Sequence, residues 1–180
     1  VPSRRFAANF RQTGSQPRVT DLSGWSLLPP SGSQPVWSSK DCCGNSASGS
    51  AELRAVDLPI VFGSSCIAVS GGSTYDLVAR VDTQPVGASI PTQAGLGVLW
   101  YSDAACTDAI DPPQTWSVGN SPGWRRFGVS THAPATALSA RIELTAAGAG
   151  LSSGIDAYFD QVAFGTTGTV PAALQSFDID

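Results

Sequence analysis

The 180-residue sequence has no methionine, one lysine (Lys40) and one histidine (His132). Its charged fraction is 13%, about half the usual quarter. Each shortage excludes something. With a net charge of -4 and only the isolated pairs Arg4-Arg5 and Arg125-Arg126, there is no basic stripe to follow a phosphate backbone, so nucleic acid is not expected as a partner. No apolar run approaches the ~20 residues that span a bilayer, and no basic amphipathic stretch suits a membrane surface. One histidine and no C-x-x-C pattern make a zinc site unexpected. No Gly-x-Ser-x-Gly elbow and no Gly-rich phosphate loop precedes a helix. The glutamates are Glu52 and Glu143 alone, and nothing selects an Asp pair for glycosidic acid–base work. A non-catalytic protein is expected.

No window sustains the helical period for three turns. Gly 19 and Pro 13 instead punctuate short alternating runs. Ser50–Val56 points Ala51, Leu53 and Ala55 inward, and Thr74–Val81 does the same with Tyr75, Leu77, Ala79 and Val81. Leu58–Val69, Gly95–Tyr101, Trp124–Ser130 and Leu138–Leu144 are further strand candidates. In the last of these Leu138, Ala140, Ile142 and Leu144 face in, while Ser139, Arg141 and Glu143 face out. Ser31–Gly49 reads as a long loop, a kind of segment that is often functional. The spacing predicts an all-β, two-sheet antiparallel β-sandwich (a jelly roll) of eight to ten strands. It occupies one domain over residues 1–168, followed by a tail at 169–180.

The stretch Ala157–Gly165 organises the rest. At period two, Tyr158, Asp160, Val162 and Phe164 share a face, which draws Asp160 toward the apolar side and obliges another part of the chain to compensate its charge. Four cysteines in a lysine-poor chain fit an oxidising compartment. Without a methionine to start it, the chain is expected to be a secreted protein from which a signal peptide was removed before Val1.

In order along the chain come Asn9-Phe10, Gly24-Trp25, Ser48-Gly49-Ser50-Ala51, Tyr75-Asp76-Leu77, Trp124 and Tyr158-Phe159-Asp160. This order resembles the galactose-binding-like jelly rolls of secreted bacterial proteins, especially carbohydrate-binding modules of families four, nine and twenty-two, from about Phe6 to Gly165. The resemblance implies that Trp25 and Trp124 pack in the core. It also implies a structural calcium at Asp160, for which Glu52 and Asp57 are further oxygen donors. The chain departs from the family pattern after Phe10, where Arg11 stands in place of a Glu. A direct Arg11–Asp160 ion pair is therefore the alternative to the metal.

Related modules carry cysteines near the positions of Cys66 and Cys106, and a bridge there would staple neighbouring strands. The four cysteines allow three connectivities, and Cys66–Cys106 is the one expected. Cys42 and Cys43 are adjacent; they could be free thiols, bridges to another chain or a vicinal disulfide. The oxidising compartment favours the vicinal bridge, whose ring would form an apolar plate beside Trp37. Sugar recognition needs aromatic planes and a few placed polar groups, and Trp37, Trp100, Trp116 and Asp41 are the expected contacts. The resulting expectation is a module for a polysaccharide or cell-surface glycan. The alternative comes from the tail, where Phe177 and Ile179 alternate with polar residues. Strand addition to other copies would make a self-assembling surface, matrix or filament subunit.

Overall fold

The computed structural model describes residues 6–8, 22, 24–28, 33–44, 49–56, 58–87, 93–110, 112–119, 122–148 and 153–169. The chain runs through β1 (Phe6–Ala8), β2 (Trp25–Leu28), β3 (Val36–Ser38), β4 (Ser50–Ala55), β5 (Ile60–Ser64), β6 (Ile67–Ala68), β7 (Thr74–Gly87), β8 (Gln93–Tyr101), β9 (Gln114–Ser117), β10 (Arg125–His132), β11 (Ser139–Ala147) and β12 (Ser153–Thr166). Among the described residues there is no helix. The strands exceed the expected number because β1, β3 and β6 are two or three residues long, too short for alternation to register in the sequence.

All pairs are antiparallel and form two sheets. The first sheet has the order β10-β7-β12-β4-β3, with β1 also on β12; the second has the order β2-β5-β11-β8-β9, with β6 also on β11. The chain passes between the sheets at every connection except β3–β4, β5–β6 and β8–β9, in keeping with the expected jelly-roll sandwich. The inward faces meet in one core containing Ala51, Leu53, Leu77, Ala79, Leu96, Val98, Ile142, Leu144, Ile155 and Phe159. At one end Phe164 stacks on Tyr75 (centroids 5.0 Å apart) and tilts against Trp100 at 6.1 Å. Burying a side chain of this size contributes roughly 1.5–3 kcal/mol.

Two expectations about strand faces are corrected. Asp160 does not share a face with Val162 and Phe164. Asp160 opposes Arg80 and Ala163 opposes Val78, so β12 carries one extra residue between them. This is a β-bulge, and it reverses the in–out parity. Gln161 takes a left-handed φ of 49° there. Phe159, Val162 and Phe164 consequently all reach the core, while Tyr158 and Asp160 lie on the outer face. At the other correction, Leu138 precedes β11 and is exposed, whereas Ser139 and Glu143, although they point away from the core, are buried.

The described part ends at Thr169, whose N–H closes a turn on the Thr166 carbonyl. The tail from 170 onward, on which the assembly expectation rests, lies outside the described residues, as do Arg11 and Asp57.

Candidate functional site

The pleat of each strand displays one set of side chains outward, and the two outer faces differ. On the first sheet, the segment 38–44 after β3 crosses the outer face as a strap. Lys40 Nζ lies 2.8 Å from Asp82 Oδ2 and 3.9 Å from the centre of the Tyr158 ring. The Gly123 N–H donates to the other Asp82 oxygen at 3.0 Å. Further along, the Cys42 N–H donates to Asp160 Oδ2 at 3.2 Å and the Gln161 N–H to Asp160 Oδ1 at 2.7 Å. Burial and the neighbouring Asp41 push the Asp160 carboxyl up, while the two N–H donors pull it down. The burial effect is the larger.

The strap holds the predicted bridge, with Cys42 and Cys43 Sγ atoms 2.18 Å apart. The second bridge joins Cys66 to Cys106, fastening the β5–β6 turn to the loop after β8. Asp41 belongs to the strap too, where its Oδ1 accepts the Cys43 N–H at 2.8 Å.

Of the donors expected for calcium, Asp160 and Glu52 are not brought together, and Asp57 lies outside the described residues. Both Asp160 oxygens accept backbone N–H groups. Glu52 opposes Tyr158 rather than Asp160 and lies 3.5 Å from Arg54, which also grips Asp156 through two bonds of 2.8 and 3.0 Å. Among the described residues no three acidic, His or Cys side chains cluster as metal ligands. Calcium wants six to eight oxygens, and Asp160 and Glu52, engaged in this way, do not offer theirs to one ion.

The expected tryptophans are not an exposed row. Trp100 is 1% exposed, because its place on β8 points it between the sheets toward Tyr75 and Phe164. Trp37 lies on β3 rather than in a loop. Paired with inward-facing Ala51, it packs on the core half-buried, its indole lying over Gly49, where a Cβ would come within 2.7 Å of the ring. Trp116, on β9 opposite Leu96, is likewise half-buried against the core. Trp25 stacks on Phe62 at 5.5 Å, in keeping with a packing role.

The outer face of the second sheet holds the feature that the sequence reading missed. One row of cross-strand neighbours reads Ser26, Gly63, Glu143, Gly97, Thr115, and the next reads Leu28, Val61, Thr145, Gly95, Ser117. Gly95 and Gly97 thus place no side chain of β8 between Glu143 and Thr145 on one side and Thr115 and Ser117 on the other; both glycines are buried, and a Cβ at Gly95 would meet Thr145 Oγ1 at 2.8 Å. Two strand spacings of ~4.8 Å make this trough about 10 Å between flanking backbones. Leu99 and Tyr101 continue β8 at its end, and Arg141 stands opposite Leu99, next to Glu143 on β11, its guanidinium 5.9 Å from the Tyr101 ring.

Glu143 is only 6% exposed. Burial pushes its carboxyl up, partly opposed by the nearby Arg141 charge. No hydrogen bond or ion pair to Glu143 is formed among the described residues, and Arg141 Nε is buried with no hydrogen-bond partner there. A carboxylate with little exposure and, two residues away on the same strand, a buried guanidinium Nε without a partner are costly to keep. Their chemistry is that of a site able to accept from and donate to hydroxyl groups. The signal in the sequence was the pattern Gly95-x-Gly97 facing Glu143-x-Thr145, legible only once the register is known.

The architecture defines the class: an antiparallel jelly-roll sandwich of the kind found in carbohydrate-binding modules. No family model matches the chain, and no curated protein does. Solved structures do match in fold. The enzymatically active domain of tailspike protein 4 of bacteriophage CBA120 aligns with a TM-score of 0.62 at 13% identity, covering 81% of this chain but only 20% of that one. A xylan-binding domain of carbohydrate-binding-module family 22 aligns at 0.55 and 15% identity, covering 92% of this chain and 96% of that one. A family 16 carbohydrate-binding module aligns at 0.54 and 16%, covering 79% and 91%.

Proposed function

We propose that this chain is a non-catalytic, extracellular glycan-binding module whose site is the Gly95–Gly97 trough on the outer face of the second sheet. The observation that carries the reading is Glu143, held by no ion pair among the described residues, with the unpartnered Arg141 Nε two residues away, beside the glycines of β8. A polysaccharide lying in the trough would set sugar hydroxyls against the Glu143 carboxylate and the Arg141 guanidinium. Hydroxyls of Thr115, Thr145 and Ser117 would supply weaker contacts, and Leu99 and Tyr101 an apolar end. The fold likeness to modules that bind xylan supports the ligand class, and two disulfides support an oxidising location. Support for a non-catalytic role comes from the site itself. Among the described residues it holds one carboxylate, where glycoside hydrolysis needs two, and His132 is exposed on the other sheet beside Thr74.

The test is titration calorimetry of the full chain against neutral and acidic oligosaccharides, repeated with Glu143→Gln. Binding that the substitution weakens at least about tenfold, a difference of ~1.4 kcal/mol, supports the site. Binding left intact by Glu143→Gln removes the trough from consideration, and no binding to any glycan removes the reading.

A further inference from the structure

The two disulfides sit in opposite surroundings. Cys106 is buried, with its Sγ 3.1 Å from the Ser139 hydroxyl, and its Cα lies 5.9 Å from that of Cys66, inside the usual span. Cys43 is exposed at the crest of the strap, and the Cα atoms of its bridge are 3.8 Å apart, the fixed separation of adjacent residues. The Cys43 sulfur is held by Gln161, whose Nε2 donates to it at 3.1 Å, and the Cys42 N–H is held by buried Asp160. Both contacts go to the β12 bulge, and both require the two cysteines to keep the conformation that their closed ring imposes.

We propose that the Cys42–Cys43 bridge is a thiol-exchange site, at which a small external thiol joins Cys43 and releases the strap from the first sheet. The external thiolate attacks Cys43 Sγ, the accessible sulfur, because exchange rates follow access to the attacked atom. A bond forms between the incoming sulfur and Cys43, the Cys42–Cys43 bond breaks, and its electron pair leaves on Cys42 Sγ, which takes a proton from solvent. The product is a mixed disulfide on Cys43 and a thiol at Cys42. A second thiol attacking the incoming group's sulfur leaves as the external disulfide and yields the dithiol form.

Opening the ring frees the Cys42–Cys43 peptide, so Asp160 loses the Cys42 N–H and keeps only that of Gln161. The strap segment carrying Lys40 then lifts from Tyr158 and Asp82. The Cys66–Cys106 bridge, shielded at its Cys106 end, stays closed under the same treatment.

The experiment exposes the native full chain to glutathione, quenches with acid and maps the adducts by mass spectrometry, alongside hydrogen exchange. The expected result is glutathione on Cys43, with Cys42–Cys43 opening at least about tenfold faster than Cys66–Cys106. Amide exchange should rise at Cys42 and Gln161 while β8 and β11 are unchanged. Equal or slower opening of the vicinal bridge, an adduct on Cys42, or unchanged exchange at Gln161 would each overturn the proposal. The double variant Cys42→Ala/Cys43→Ala gives an independent arm. It should take no adduct and should show, without any thiol, the faster Gln161 exchange of the treated native chain; exchange as slow as in the untreated chain would overturn the link to the strap.

Discussion

On the outer face of the first sheet each carboxylate of the central strands has a donor. Asp76 accepts from the Ser130 and Thr167 hydroxyls, Asp82 from Lys40 and Gly123, Asp156 from Arg54 and Asp160 from two backbone N–H groups. On the outer face of the second sheet, the Arg141 charge acts on the Glu143 carboxyl, and yet the two form no ion pair within 4 Å. The carboxylates of the first face are paired, although Ser50 Oγ there is buried without a partner, whereas on the second Arg141 Nε is unpartnered and Glu143 unpaired next to buried glycine backbone. Folding alone rewards the first arrangement and penalises the second. That asymmetry is why the glycine trough, rather than the strap, is assigned as the ligand face.

The comparison breaks first at Asp160. Asp160→Ala removes the acceptor of two N–H groups at the bulge, and a cost of about 2–4 kcal/mol is expected in chemical denaturation. Glycan affinity should be unchanged, because the residue belongs to the closed face. A large stability loss accompanied by lost binding would mean that the two faces are not independent. Gly97→Leu tests the other side. A Cβ at Gly97 already meets the Gln114 carbonyl oxygen and Thr115 Cγ2 at 3.3 Å, so a larger side chain must rise into the trough. Affinity should fall about a hundredfold, ~2.7 kcal/mol, at a stability cost of only about 1–2 kcal/mol. Lys40→Met should cost roughly 1–2 kcal/mol, since it leaves Asp82 buried with one remaining donor and removes the cation from the Tyr158 ring. Calorimetric binding should again be unaffected.

These variants also show where the sequence was readable. Alternation in Ser50–Val56 and Thr74–Val81 fixed their inward faces correctly, because a half-buried strand must repeat at period two. It failed at Asp160 because a single extra residue at Gln161 reverses every later side chain, and no composition rule marks a bulge at a non-glycine position. The order of motifs pointed to the jelly roll, and the adjacency of Cys42 and Cys43 pointed to a bridge that the strap contains. The site was harder to read. Aromatics were sought in loops, but Trp37 and Trp116 lie on short edge strands with their rings against the core, and Trp100 is central to it. Glu143 was read as a solvated outward residue. Its cross-strand neighbours are Gly97 and Gly63, 46 and 80 positions away in sequence, a pairing that only the register reveals.

The smallest effect separates the two faces by its sign. Burial raises the Glu143 carboxyl, so the folded protein holds that proton more tightly than the unfolded chain does. Its contribution to stability is fully present below the unfolded carboxylate range and is lost as pH rises through the folded value. At neutral pH the ionised group is therefore a burden that Glu143→Gln lifts. The variant is expected to gain on the order of 1 kcal/mol near pH 7, and the gain should vanish at pH 3–4, near the ordinary carboxylate range of about 4, when denaturation is followed across pH. Stability that rises at pH 7 while glycan affinity falls is the mark of a residue retained for binding at the expense of folding. If Glu143→Gln instead destabilises the protein at pH 7, the carboxylate has a structural partner, and the second face is closed like the first.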